Sequence, residues 1–401
     1  MNWIFILILS FFSITLYSQS VDGKKELITI HSDVYKKERK LAVFLPSYYE
    51  EFKDETFQVI YLLDGQWEPL FNYVANSVNY LRSIGEMGNT IVVGIYTEDR
   101  PKEFLPIPQD EEEKQKWESK KSYGYSELLD KHLINEVFPL IQKKYNINQY
   151  KIGIGHSLGG TYIVNSFADG KNIFNSFIAI SPNLEFDKYG IQKKIKNLVT
   201  TKKEINSYLC ISVGDSDETE KKFSKGIQLL DSIITSSNVK GLKYKFDRLK
   251  NATHSNSILK ELPEALLEFS KIIKKPNDSQ LEEMLSNTSI PFIVSIKNHY
   301  KSISNWLGYT YLPSENEINS FAYFSLKNKN PKEGLSIINW ALEIYPNSIN
   351  LYDSKAEMLE NLNQKKEAIE AAKVGLKKLK SLNLQQEDND YYKEMLEKHL
   401  Q

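Results

Sequence analysis

The sequence predicts an α/β domain followed by an all-α region, and three observations carry that reading. Over roughly residues 26–275, short apolar runs alternate with helical patterns. Several of those runs are continuous, as strands buried on both faces of a parallel sheet require. From about residue 280 the strand-like runs stop, and helical segments rich in Lys, Glu, Leu and Asn take over. At 401 residues the chain has the length of two or three domains.

The expected strands, in order, are LITI (27–30), LAVFLP (41–46), VIYLL (59–63), TIVVGIY (90–96), KIGIG (151–155), FIAIS (177–181), YLCISVG (208–214) and LKYKF (242–246). Between them the 3.6-residue period predicts helices. One covers 125–145, with Leu128, Leu129, His132, Leu133, Val137, Leu140 and Ile141 on one stripe. Another follows Ser157, and a third covers 218–234. The polar stretch 106–122 carries Asp110, Glu111, Glu112 and Glu113. It reads as a solvated surface loop, with a flap beside the site as the competing reading.

Composition narrows the function classes. The chain is 41% hydrophobic and 26% charged, which excludes a disordered or collagen-like polymer. Its formal net charge of −1 offers no global field for nucleic acid or anionic lipid. Only Arg39, Arg82, Arg100 and Arg248 could supply the guanidinium forks that nucleic-acid readers favour. The single cysteine, Cys210, leaves no internal disulfide and no thiolate metal cluster. No metal and no cofactor are expected.

The run WIFILILSFFSITL (3–16) is uncharged and too short for a comfortable bilayer span. It has the length of a signal-peptide core, with cleavage expected near Ser18/Gln19. Residues 1–18 are therefore read as a signal peptide, and the protein as exported, periplasmic or secreted. An uncleaved N-terminal anchor is the competing reading.

The C-terminal region carries a period of 34 residues. Ala322 pairs with Ala356, Gly334 with Ala368, Ala341 with Gly375 and Leu342 with Leu376. Small residues at that spacing let paired helices approach, and the segment resembles tetratricopeptide repeats. Two such units bury little core alone, so helices within 296–307 are expected to serve as a degenerate first unit or to pack on the α/β domain. A polar, Pro-containing linker is expected at 274–279. The domains are thus 19–275 and 280–401.

Gly155-His156-Ser157-Leu158-Gly159-Gly160 follows the run KIGI and precedes the helical pattern TYIVNSFA. This is G-x-S-x-G in its strand–turn–helix setting, where a serine on a tight turn points Oγ out of the sheet. The glycines leave room for the strained backbone, and the following helix offers free N–H groups. A serine needs a base. Of the six histidines, His254 falls in the polar loop KNATHSNS after the last strand, where the order Ser, acid, His places it. His31 precedes the sheet core, while His132, His299 and His399 lie on helical patterns. The ring of His156, inside the elbow, is expected to point away from Oγ. Asp215, Asp217, Glu218 and Glu220 crowd the turn after YLCISVG. Asp217 is favoured as the acid, with Asp215 next. The D-x-D there lacks the glycine of a calcium loop, because Glu220 stands at that position. The oxyanion donors are expected to be the N–H groups of Leu158 and of Gln66, in the turn Asp64-Gly65-Gln66.

YLLDGQ (61–66), GIYTEDRPKEFLP (94–106), GHSLGG (155–160), ISP (180–182) and THS (253–255) together resemble the "Putative esterase" family of α/β-hydrolases. That family includes ferric-siderophore esterases, S-formylglutathione hydrolase and mycolyltransferases. The resemblance implies an α/β-hydrolase sandwich with a mostly parallel central sheet over residues 26–274. It implies Ser157 as nucleophile, His254 as base, Gln66 and Leu158 as oxyanion donors and an acid at Asp217, although some siderophore esterases of this kind use a dyad. Arg100 matches a family arginine beside the site, as a substrate-binding group or as a loop anchor. The tetratricopeptide-like tail departs from the single-domain members. The expected function is hydrolysis of a carboxylic ester, for instance a siderophore-type ester, through an acyl-enzyme. Acyl transfer on the same residues, a peptidase on the same fold, and an inactive scaffold acting through a protein partner of the tail are the alternatives.

Overall fold

The computed structural model describes residues 19–20, 23–50, 55–118, 124–381 and 386–400. The expected signal segment 1–18 and part of the 106–122 loop lie outside the described residues. The chain divides into two compact units, the first ending at Lys271 and the second starting at Ile272.

All eight expected strands form. With a short extra one they are β1 (Gln19–Ser20), β2 (Gly23–Ser32), β3 (Lys37–Pro46), β4 (Phe57–Leu63), β5 (Thr90–Ile95), β6 (Ile147–His156), β7 (Ser176–Ile180), β8 (Tyr208–Gly214) and β9 (Lys243–Leu249). They make one sheet in the order β1-β2-β3-β5-β4-β6-β7-β8-β9. The first three strands join antiparallel as far as β5, and β5 through β9 run parallel. Every residue of β4, β5, β7 and β8 is buried, which is why those runs are apolar without alternation.

Helices connect the parallel strands: α1 (Glu68–Ser83), α2 (Arg100–Phe104), α3 (Glu111–Glu118), α4 (Ser126–His132), α5 (Phe138–Lys144), α6 (Leu158–Ala168), α7 (Gly190–Thr201), α8 (Glu218–Thr235) and α9 (Ser257–Ile273). The helix expected over 125–145 forms with a π turn at Leu133–Val137 between α4 and α5. From β4 the chain passes outward to β5, then returns across β4 to β6. The strand order therefore reverses at β4, and the carboxyl ends of β4 and β6 open a crevice. Ser157 follows β6 and the turn 64–66 follows β4, so the topology alone brings them to one place.

Arg39 on β3 and Glu103 in α2 are both buried. Arg39 Nη1 and Nη2 donate to Glu103 Oε1 and Oε2 at 3.1 and 2.5 Å, and Nη2 also reaches Tyr96 O at 2.7 Å. Glu103 Oε1 further accepts the Glu98 N–H at 3.0 Å. This pair fixes the segment that carries Arg100 to the sheet.

The second unit holds α10 (Asp278–Ser286), α11 (Phe292–Leu307), α12 (Glu315–Lys327), α13 (Pro331–Ile344), α14 (Ile349–Asn361), α15 (Lys365–Leu379) and α16 (Gln386–Glu397). The starts of α12 and α14 are 34 residues apart, as are those of α13 and α15. Gly334 lies where a Cβ would come 2.8 Å from Met358 Sδ, so the small residues of the period mark the close helix contacts. His399 ties the C-terminal turn to α14, between Asp353 Oδ1 at 2.9 Å and Glu360 Oε1 at 2.8 Å. Among the described residues no helix is long and apolar enough to cross a membrane.

Arg39→Leu leaves Glu103 buried and uncompensated, and should lower stability by about 3–5 kcal/mol in urea unfolding. The double replacement by Arg39→Leu and Glu103→Leu should recover most of that loss. A single variant as stable as the wild type would show that the pair does not hold this segment.

Candidate active site

Ser157 stands between β6 and α6 with φ 59° and ψ −122°. A non-glycine residue there stores on the order of 1–3 kcal/mol of strain. The turn is tight enough that a Cβ on Gly155 would come 2.3 Å from the Gly159 carbonyl carbon. The Ser157 N–H donates to Ile180 O at 2.9 Å, which ties the elbow to β7. Its side chain is half-buried and makes no hydrogen bond among the described residues. Leu158, the next residue, opens α6, so its N–H has no intrahelical partner.

The turn after β4 is pinned from several sides. Asp64 has φ 59°, and a Cβ on Gly65 would meet the Gly94 carbonyl carbon at 2.4 Å. The Gln66 side chain accepts the Thr97 N–H at 2.8 Å. The Gln66 N–H has no partner among the described residues. Two free backbone donors, on Gln66 and Leu158, thus belong to the turns that end β4 and β6.

Arg100 Nε donates to both Asp64 oxygens at 3.0 and 3.1 Å, and Nη2 donates to His156 O at 3.2 Å. Of the two roles expected for Arg100, anchoring is the one these bonds describe: the guanidinium bridges the β4 turn and the elbow. Burial raises the Asp64 carboxyl pKa, and Arg100 offsets part of that shift.

His254 lies in the loop before α9. Its Nδ1 is 2.6 Å from Glu220 Oε1. Since a carboxylate accepts, Nδ1 carries the proton, and Nε2 is the bare nitrogen of the neutral ring. Glu220 is completely buried. Its other oxygen takes the Gly214 N–H and lies 3.0 Å from Ser181 Oγ.

The ring's hydrogen-bond partner is Glu220, where the sequence favours Asp217. Asp217 is the N-cap of α8: Oδ1 accepts the Glu220 N–H at 2.8 Å, and Oδ2 accepts the His254 backbone N–H at 2.6 Å. Those two N–H groups, the Glu220 one foremost, hold its carboxyl below the usual range. Its carboxylate is spent on backbone donors, so it shapes the loop and leaves the ring to Glu220. Asp215 accepts the Asn251 N–H at 2.8 Å, and Glu218 pairs with Lys221 at the surface. A carboxylate at N3 of α8 reaches back into the crevice, whereas one at the cap faces the helix's own amides. Part of the signal was present in the sequence, because an Asp at the start of a helix is a capping residue whose carboxylate is spent on the helix's own N–H groups.

The ring of His156, inside the elbow, turns to the His254 loop. Its Nε2 donates to His254 O at 2.8 Å, and the two rings lie 4.7 Å apart, tilted by 35°. Burial, with the neighbouring His254 next in weight, lowers its pKa to about 4. Phe223 meets the other side of His254 edge-on at 5.5 Å. Of the other histidines, His132 bonds Glu136, His299 lies 3.0 Å from Lys274 O, and His31 is exposed on β2. Among the described residues no group of His, Cys, Asp and Glu could hold a metal ion.

The family model described as "Putative esterase" matches residues 32–248, more than half of the chain. The chain belongs to the Putative esterase family. With that membership it is a carboxylic-ester hydrolase. No curated protein matches the chain in sequence. Among solved structures it is similar to an IroE-like serine hydrolase from Shewanella oneidensis, with 16% identity and a TM-score of 0.64 over 80% of this chain and 99% of that one. It is similar to an uncharacterised protein from Capnocytophaga ochracea, with 17% identity and a TM-score of 0.65 over 94% of this chain and 99% of that one. It is also similar to the siderophore hydrolase EstA from Aspergillus nidulans, with 15% identity and a TM-score of 0.51 over 62% and 95%. At those identities the likeness is one of fold, and the fold is that of the α/β-hydrolases.

His156 gives a pH prediction. Its folded pKa, about 4, lies below the ordinary 6.5, so the unfolded chain binds the proton first as pH falls. The wild type should lose stability from about pH 6.5 downward, levelling below about pH 4. In His156→Gln this contribution vanishes, so the Tm difference between wild type and variant should change between pH 7.5 and pH 5 in favour of the variant. A pH-independent difference would contradict the buried neutral ring.

Proposed function

We propose that the protein is a serine esterase in which Ser157 attacks the ester carbonyl, His254 takes its proton, and water hydrolyses the resulting acyl-enzyme. The observation that carries this reading is the 2.6 Å contact between His254 Nδ1 and the buried Glu220 carboxylate, which follows β8, two strands along the sheet from the strained elbow. The carboxylate fixes the tautomer whose Nε2 is basic, and it stabilises the imidazolium formed on proton transfer. The Leu158 and Gln66 N–H groups are the donors for the developing oxyanion. Glu220 takes the acid's role in place of Asp217. Arg100 holds the β4 turn against the elbow, and its exposed side remains open to an anionic group of the substrate.

A siderophore-type ester is the substrate class we favour. It draws on the fold shared with an IroE-like serine hydrolase and with a siderophore hydrolase. The apolar run 3–16 supports export, and the 34-residue period of the second unit supports a tetratricopeptide-like region that binds a protein partner.

Hydrolysis of short p-nitrophenyl esters tests the mechanism. Ser157→Ala should abolish turnover. Glu220→Gln should lower kcat by about 10³–10⁴-fold, by analogy with loss of the acid in other triads. Asp217→Asn should stay within about tenfold of wild type, because a cap and a loop bond are lost but not the ring's partner. The opposite order for Glu220 and Asp217 would return the acid to Asp217. Chromatography of products from siderophore esters, with and without an added alcohol, then separates hydrolysis from acyl transfer.

A further inference from the structure

We propose that His156, Ser257 and Ser181 form a positioning relay that directs a hydroxyl proton to Glu220 and grips His254 by its backbone and its ring together. The proposal rests on the reading of Ser157 and His254 as nucleophile and base.

Ser181 follows β7, is fully buried, and has φ 48°. Its N–H donates to Ser212 O at 2.9 Å, and its Oγ lies 3.0 Å from Glu220 Oε2 and 2.9 Å from Ser257 Oγ. Ser257 Oγ in turn lies 3.1 Å from His254 O and 3.4 Å from His156 Nε2. The ring of contacts closes where it began, since Glu220 holds His254 Nδ1.

Each hydroxyl has one proton to give. Ser257 gives its proton to His254 O, and Ser181 gives its own to Glu220 Oε2 with Ser257 Oγ as its second contact. A carbonyl cannot donate, so the 2.8 Å contact with His254 O puts a proton on His156 Nε2. The carbonyl oxygen has two lone pairs and takes the His156 N–H and the Ser257 hydroxyl together. Each polar side-chain atom of the relay then has a partner, and the carboxylate receives Gly214 N–H, Ser181 O–H and His254 Nδ1–H. A neutral His156 also adds no charge beside the imidazolium that forms on His254 during proton transfer.

The test uses the full chain and p-nitrophenyl ester hydrolysis, with circular dichroism and Tm to confirm folding. His156→Phe keeps a ring without a donor, and Ser257→Ala removes the middle hydroxyl. Each should lower kcat by about 10–100-fold with KM within about twofold, the size of a lost buried hydrogen bond felt mainly in the transition state. The double variant should be no worse than about threefold below the weaker single, because both break one chain. His156→Gln restores an N–H and should recover kcat to within about threefold of wild type. Wild-type kcat in both single variants, effects that multiply in the double, or no rescue by Gln would overturn the relay. Should His156→Phe not fold, Ser257→Ala and Ser181→Ala carry the same comparison. Ser157→Ala runs beside them. Turnover that survives in it would sink the nucleophile reading itself, whereas an inactive Ser157→Ala beside unaffected relay variants would sink only the relay.

Discussion

A carboxylate taken wholly out of water must collect donors from the protein, and Glu220 is where this structure meets that demand. It draws an N–H from the end of β8, a hydroxyl from the residue after β7, and a ring N–H from the loop before α9. Unpaired, such a group costs several kcal/mol, so the three segments are held together at the carboxyl edge of the sheet. The position of His254 follows from that demand. Asp217 completes the arrangement by capping α8 and holding the His254 N–H, which sets the loop's backbone while Glu220 sets its side chain.

The other half of the site depends on strain and on close approach. Positive φ at Ser157 and Asp64, with glycines at 155 and 65 where no Cβ fits, turns the chain sharply after β6 and β4. Both turns leave backbone N–H groups without partners among the described residues, and Arg100 clamps one turn to the other. The buried Arg39–Glu103 pair then fixes the segment bearing Arg100. Two electrostatic anchors of different burial thus serve one geometric end, the separation between the elbow and the turn facing it.

Much of this was legible in the residues. The apolar runs gave every strand from β2 to β9, and those of β4, β5, β7 and β8 are continuous because burial on both faces leaves no room for polar alternation. The elbow was legible because G-x-S-x-G, a strand before it and a helix after it agree. His254 was legible from chain order. Glu220 was not, because six polar residues in succession look like a solvated turn until the helix start fixes which carboxylate caps and which points inward. The capping position of Asp217 held part of that information, since it spends that carboxylate on backbone N–H groups. The place of His156 was hidden for another reason: its partner is a backbone carbonyl 98 residues away, which no local pattern encodes. The π turn in the 126–144 segment is likewise a tertiary outcome, set where His132 and Glu136 meet Ser32 of β2. In the second unit the 34-residue period was readable because small residues recur wherever helices touch.

The arrangement of the site turns on the Nδ1 proton of His254, which belongs to Glu220. The most direct measurement is the proton NMR spectrum in the far-downfield imidazole region, recorded at low temperature for wild type, Glu220→Gln and Asp217→Asn. One exchange-protected Nδ1–H resonance is expected, displaced or lost in Glu220→Gln and kept in Asp217→Asn. A resonance unmoved by Glu220→Gln, or one that disappears in Asp217→Asn alone, would contradict it.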